Sequence, residues 1–155
     1  MKFKPTMIAV IIFIIVALFA AYSEVQAEDG FRISLGYTVA NSTMPAGEFS
    51  YEYKGYELAA MQIGVGNTRN GPQKEVNVFS FSHIVRPEWY LFGARNYYRI
   101  GVSHVSGSPL VGDTNFRLGI GFEWKIAQVE YFHFSSAGIH QPNTGIDGIA
   151  LRFKF

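Results

Sequence analysis

The chain has 155 residues, contains no cysteine, and carries 13 Lys and Arg residues against 12 Asp and Glu residues. This length fits one domain, and the lack of cysteine excludes a disulfide framework and a thiolate metal site. Because nucleic-acid binding needs concentrated basic residues facing phosphates, a nearly neutral chain without a basic cluster is not expected to bind nucleic acid.

The N-terminal segment has the pattern of a secretory signal peptide. Two lysines precede an unbroken apolar run from Met7 to Tyr22, which is followed by the small-x-small sequence Val25-Gln26-Ala27. We therefore predict that residues 1–27 are a cleaved signal peptide and that residues 28–155 form a single exported domain. An uncleaved anchor is the alternative, because the run approaches the minimum of roughly 17 residues for a membrane-spanning helix.

The exported part is built from short segments in which large apolar residues alternate with polar or small ones. This period of two is typical of strands with two unlike faces. Turn signals such as Met44-Pro45-Ala46-Gly47 and Lys54-Gly55 separate the segments. In chain order, we predict eight strands, at residues 31–39, 49–53, 59–65, 74–84, 98–102, 116–124, 126–135 and 149–155.

This pattern predicts an all-β fold, an eight-stranded antiparallel transmembrane barrel of the outer membrane. A second long apolar run is missing, so the exported part can cross a bilayer only as a closed barrel. Glycines on the polar face suit a narrow interior, tyrosines and tryptophans near strand ends suit interfacial girdles, and the last strand ends on Phe155, as in bacterial outer-membrane barrels. A soluble barrel or sandwich with an apolar core is the alternative.

The connection between the seventh and eighth strands carries a candidate active site. His133 and Ser135 share the face of the seventh strand that is expected to look at lipid, and Asp147 has the lipid-facing parity of the eighth. Pairing residue 135 with residue 145 would set Asp147 beside His133. Polar side chains facing hydrocarbon cost several kcal/mol unless they satisfy one another, so their presence needs a reason.

A Ser-His-acid set supplies that reason. His133 would take the proton of Ser135 as the serine oxygen attacks an acyl carbonyl, and Asp147 would hold the imidazole. The predicted chemistry is ester hydrolysis through an acyl-enzyme. With a periplasmic C-terminus, Asp147 lies roughly 20 Å above Phe155, near the outer leaflet. That leaflet is lipopolysaccharide in a Gram-negative bacterium, so the expected ester belongs to lipid A.

The stretch from His133 to Asp147 resembles the signature of the outer-membrane lipid A 3-O-deacylases of the PagL type, a His-x-Ser-Asn run, a downstream Asn-Pro-Gly-like turn and an acid fourteen residues after the histidine. The resemblance implies an eight-stranded barrel that hydrolyses the ester-linked 3-hydroxyacyl chain at position 3 of lipid A without a metal or another cofactor. It implies that His133 and Ser135 are the catalytic pair and that Asn143 belongs to the oxyanion hole.

Two positions depart from this signature. Ser136 stands where the family has asparagine, and a hydroxyl is a weaker oxyanion donor at a place where one donor is worth roughly 3–4 kcal/mol. Asp147 stands where the family has glutamate and is shorter by one methylene. The predicted oxyanion and substrate-binding residues are Asn143, Ser136 and Gly145, and the predicted partners are lipid A, or lipopolysaccharide, and the surrounding outer-membrane lipid.

Other polar residues receive structural roles. The remaining histidines have no acidic or metal-ligand grouping and are expected to be girdle or loop residues; they are His83, His104 and His140. Charged residues of the polar face are expected to pair inside the barrel; they are Arg32, Arg99, Arg117, Glu123, Glu130 and Arg152.

Three other functions are compatible with the same sequence. The main alternative is a non-enzymatic small outer-membrane barrel for adhesion or structure. A periplasmic lipocalin-like carrier is another, and an acyltransferase would follow if a hydroxyl other than water resolved the acyl-enzyme. The tyrosine-rich exterior also permits a homodimer.

Overall fold

A computed structural model describes residues 29–139 and 141–155. The predicted signal peptide and His140 lie outside the described residues. In the described part, eight long strands form the barrel: β1 (Gly30–Val39), β2 (Pro45–Tyr53), β3 (Tyr56–Ile63), β4 (Val76–Val85), β5 (Ala94–Ser106), β6 (Thr114–Glu123), β7 (Ala127–Ser135) and β8 (Ile146–Lys154). Each strand pairs antiparallel with its neighbours in the chain, and β1 pairs with β8, which closes the sheet. The predicted eight-stranded antiparallel barrel is confirmed.

Short elements that the sequence pattern did not predict lie in two of the connections. Gly66–Thr68 and Gly71–Gln73 form a small hairpin between β3 and β4, and Tyr90–Leu91 pairs with the start of β5. Across residues 29–139 and 141–155 there is no helix long and apolar enough to span a membrane.

The barrel has an apolar outside and a polar inside. Along β1, Phe31, Ile33 and Leu35 are exposed, whereas the alternate residues Arg32 and Ser34 are buried. A soluble protein does not keep such a continuous apolar exterior, and a lipid-embedded barrel requires it. The predicted assignment of the polar face to the interior is therefore confirmed.

Charged side chains fill the middle of the interior and pair with one another. Arg152 reaches Glu57 at 2.6 Å and Glu130 at 3.1 Å, and Arg117 reaches Glu48 at 2.6 Å. Nearer the opposite end from the candidate site, Arg32 and Arg86 pair with Glu52, and Arg86 also pairs with Glu123. Pairing of this kind keeps buried charges from being left uncompensated. The predicted interior roles of these arginines and glutamates, including Arg99, are confirmed.

Glycines on the inward face of the strands leave room for the large side chains that fill the interior. A Cβ atom on Gly119 would lie 3.0 Å from Glu130 Oε1, and one on Gly121 would lie 2.7 Å from Tyr97 Cζ. Contacts this close require the neighbour to move, so these positions accept larger side chains poorly. The interior is crowded beside these glycines, as the glycine-rich polar face predicted.

The end of the interior beneath the candidate site is apolar. Its buried cluster includes Met44, Ile63, Leu110, Phe132, Phe134 and Ile146. Backbone hydrogen bonds join the connections at this end. Thr144 N donates to Leu110 O at 2.8 Å, and Arg69 N donates to Asn41 O at 2.8 Å. The connection between β7 and β8 therefore rests on a packed base and on neighbouring loops.

Candidate active site

The register of β7 and β8 sets the candidate site. His133 lies directly opposite Asp147 across the two strands, as the predicted pairing of residues 135 and 145 requires. On the same strand, Phe132 and Phe134 point inward and are fully buried, so His133 and Ser135 point outward. The buried phenylalanines hold the strand so that the polar pair faces the lipid side.

His133 and Asp147 form a direct hydrogen bond. His133 Nδ1 lies 2.8 Å from Asp147 Oδ1, with the histidine side chain 31% exposed and the aspartate 13% exposed. Because a carboxylate only accepts, Nδ1 carries the proton in the neutral ring. The other ring nitrogen, Nε2, then has a lone pair available for a proton, which is the state that a general base needs.

Gly145 leaves space for the imidazole. Its φ is +87°, a left-handed conformation that favours glycine. A Cβ atom at this position would lie 2.9 Å from His133 Cε1, closer than ordinary van der Waals contact. Gly145 therefore lies next to Cε1 of His133, where a larger residue would displace the imidazole ring.

Asn143 is hydrogen-bonded to both serines of the site, Ser135 and Ser136. Its Oδ1 accepts hydrogen bonds from Ser135 Oγ at 3.1 Å, Ser136 N at 2.8 Å and Ser136 Oγ at 3.0 Å. Since the backbone N–H of Ser136 can only donate, the Asn143 atom facing it must be the carbonyl oxygen. The amide nitrogen of Asn143 consequently points away from the serines.

The sequence-predicted residues thus come together, with one difference in the expected contacts. Within the described residues Ser135 Oγ bonds to Asn143 and to the backbone N–H of Ala137, and it has no hydrogen bond to His133. Ser136 is buried beneath Asn143. In enzymes without bound substrate, the distance between nucleophile and base is often too long for a hydrogen bond. The missing hydrogen bond between Ser135 and His133 is therefore compatible with their action as nucleophile and base.

Two residues at the site had not been predicted. Tyr131 Oη donates to Asp147 Oδ1 at 2.5 Å, and Asn41 Nδ2 lies 3.0 Å from Thr144 O, 3.3 Å from Gly145 O and 3.5 Å from Asp147 Oδ2. Tyr131 lies two residues before His133 and therefore on the same face of β7, so its place beside the site could have been predicted from the sequence. Asn41 comes from the connection between β1 and β2 and had no local signal.

Two other histidines, His83 and His104, lie away from the candidate site. His83 is on β4, where its Nδ1 lies 3.1 Å from Gly55 O in the turn between β2 and β3, and His104 is exposed on β5. Among the residues that the structure describes, no group of three or more His, Asp or Glu side chains could hold a metal ion.

Comparisons with known proteins agree with this architecture. A solved structure described as "Crystal structure of the outer membrane enzyme PagL" is similar with a TM-score of 0.55 and 19% identity, over 80% of this chain and 98% of that chain. No curated protein matches the chain. The family model described as "Lipid A 3-O-deacylase (PagL)" matches residues 29–155. Because this match spans the whole described barrel, the chain belongs to the lipid A 3-O-deacylase (PagL) family.

Proposed function

We propose that the protein deacylates lipid A in the outer membrane as a serine esterase, with Ser135 as nucleophile, His133 as general base and Asp147 as the acid that orients it. The substrate class follows from the family. The observation that carries the mechanism is the 2.8 Å hydrogen bond between His133 and Asp147, placed beside Ser135 on the lipid-facing side. A scaffold does not need this polar set on an apolar surface.

The first step forms an acyl-enzyme. Ser135 Oγ turns from Asn143 Oδ1 toward His133 Nε2, loses its proton to that nitrogen, and attacks the carbonyl of the ester-linked 3-hydroxyacyl chain. Asp147 stabilises the imidazolium through the existing hydrogen bond. The imidazolium then gives its proton to the sugar oxygen at position 3, which leaves as the alcohol.

The second step returns the enzyme to its starting state. His133 removes a proton from water, and the resulting hydroxide attacks the acyl carbonyl on Ser135. The serine oxygen leaves and takes the proton back from His133, and a 3-hydroxy fatty acid is released. No group other than water and these three side chains is needed to balance the reaction.

Asn143 is the proposed oxyanion donor. Its Oδ1 accepts the serine hydrogen bonds in the structure, and Nδ2 is the donor atom of the same carboxamide. Once Ser135 has turned toward His133, Nδ2 donates to the negative oxygen that develops on the carbonyl. Ser136 supports this role, since its backbone N–H and hydroxyl both hold the Asn143 amide. Gly145 contributes the space that His133 occupies rather than a donor.

The surroundings of Ser135 suit an acyl substrate. Across β6, Phe116 lies opposite Ser135 and Leu118 lies opposite His133, and both are exposed on the apolar exterior. An acyl chain in the outer leaflet meets these side chains while its ester stays at the polar site. We also propose that residues 1–27 act as the signal peptide that exports the barrel.

The test compares Ser135→Ala with wild type in a Gram-negative host. We expect loss of one 3-hydroxyacyl group from lipid A, seen by mass spectrometry, with wild type only. Ser106→Ala is the matched control, because Ser106 is a surface serine at the same end of the barrel whose hydroxyl bonds to Asn77. Both variants should migrate as folded, heat-modifiable barrels. Deacylation by a folded Ser135→Ala protein would remove Ser135 from the mechanism.

A further inference from the structure

We propose that Tyr131 is a positioning residue that fixes the carboxylate of Asp147 for His133. The inference rests on the proposed function. Tyr131 Oη donates to Asp147 Oδ1 at 2.5 Å, and this is the oxygen that also receives the hydrogen bond of His133 Nδ1. Two donors on one oxygen define the plane and direction of the carboxylate more tightly than the histidine alone could.

The placement of the tyrosine supports this role. Tyr131 lies on the exterior of β7, between Ile120 of β6 and Ile149 of β8, and its ring is exposed. A hydroxyl that faces hydrocarbon without a partner is costly, so its bond to Asp147 is favoured strongly in this environment. A hydrogen bond to an ionised group is also shorter and stronger than one between neutral groups.

The backbone beside Asp147 is held separately. Asn41 Nδ2 bonds to the carbonyl oxygens of Thr144 and Gly145, and its distance of 3.5 Å to Asp147 Oδ2 makes that last contact weak. Asn41 therefore fixes where β8 begins, whereas Tyr131 fixes the side chain of the acid. Removal of the tyrosine hydroxyl leaves the carboxylate free to rotate away from the imidazole.

Tyr37 offers a matched control. Tyr37 on β1 and Tyr131 on β7 are both cross-strand partners of Ile149, so the two exposed tyrosines lie at the same height on either side of β8. Within the described residues the Tyr37 hydroxyl has no hydrogen bond. Tyr37→Phe and Tyr131→Phe thus remove the same atom from the same kind of surface, and only Tyr131→Phe changes a contact with Asp147.

The experiment measures steady-state deacylation of lipopolysaccharide by purified, folded barrels in detergent. Tyr131→Phe should lower kcat roughly tenfold or more with KM unchanged, because the lost hydrogen bond serves the reacting groups and not substrate binding. Tyr37→Phe should leave both constants within about twofold of wild type. In an Asp147→Ala background, which removes the acceptor of the Tyr131 hydroxyl, adding Tyr131→Phe should cause no further loss when activity is measured in single turnover with enzyme in excess.

Two results would overturn the inference while leaving the esterase mechanism standing. One is wild-type kcat for Tyr131→Phe in a preparation where Ser135→Ala is inactive. The other is an undiminished effect of Tyr131→Phe in the Asp147→Ala background, since the tyrosine would then act through a different group. Activity of Ser135→Ala would instead refute the proposed function and with it the positioning role.

Discussion

The contact between Gly145 and His133 makes Gly145→Ala an informative perturbation of the site. An added Cβ atom would lie 2.9 Å from His133 Cε1, and it would also approach Nδ1 to 3.6 Å and Asp147 Oδ2 to 3.7 Å. To regain ordinary contact the imidazole must retreat by roughly 0.5 Å. That shift acts directly on the ring whose Nδ1 is hydrogen-bonded to Asp147 at 2.8 Å.

The size of the effect follows from two separate costs. Alanine at a φ of +87° is strained, which costs about 1–3 kcal/mol of folding stability. Displacement of the imidazole costs activity, because misplacement by about 1 Å lowers rates on the order of 100-fold. For half that displacement we expect kcat to fall roughly tenfold, with a barrel that still folds.

Gly138→Ala separates these two costs. Gly138 has a φ of +83° in the same connection between β7 and β8, and a Cβ atom there would meet nothing within 4 Å. The control therefore carries the backbone strain without touching His133. The assay is kcat on lipopolysaccharide, with heat-modifiable migration as the measure of folding. A wild-type kcat for Gly145→Ala, or an equal loss of activity in Gly138→Ala, would contradict a role of the contact between residue 145 and His133 in activity.

Two further predictions address the oxyanion site and the interior. Asn143→Ala should lower kcat roughly 10²- to 10³-fold in the same deacylation assay, because it removes the proposed oxyanion donor; a loss below about tenfold would contradict that role. Arg152→Met should destabilise the barrel by about 3–5 kcal/mol in urea unfolding, since Glu57 and Glu130 each lose a charged partner. Leu35→Ala on the lipid-facing surface is the control. An equal loss of unfolding free energy in Leu35→Ala would contradict a specific contribution of the interior ion pairs to stability.

The sequence predicted the strands and their faces most clearly where apolar and polar residues alternate strictly. Alternation was clear in β1, β6 and β8, but phenylalanines blurred it in β4 and β7. Phe79 and Phe81 lie on the exterior of β4, whereas Phe132 and Phe134 are buried in β7. A phenylalanine suits both lipid and an apolar core, so its identity does not reveal its side; the neighbouring strands do.

The candidate site was predictable where its contacts are local. His133 and Asp147 are joined through one connection, so parity and a single register were enough to bring them together. Asn41 reaches the same carboxylate from 106 residues away along the chain, through the loop between β1 and β2. Contacts of this kind depend on how the loops meet after the barrel has closed, and strand periodicity carries no information about that.

The filled interior determines how substrate can reach the site. Paired arginines and glutamates occupy the middle of the barrel, and an apolar cluster closes the end beneath the connection between β7 and β8. Within residues 29–139 and 141–155, the side chains of both layers are almost completely buried. His133 and Ser135 are instead presented outward, beside the exposed Phe116 and Leu118. For the proposed site we therefore expect access laterally from the membrane, which suits a substrate whose acyl chains already lie in the lipid around the barrel.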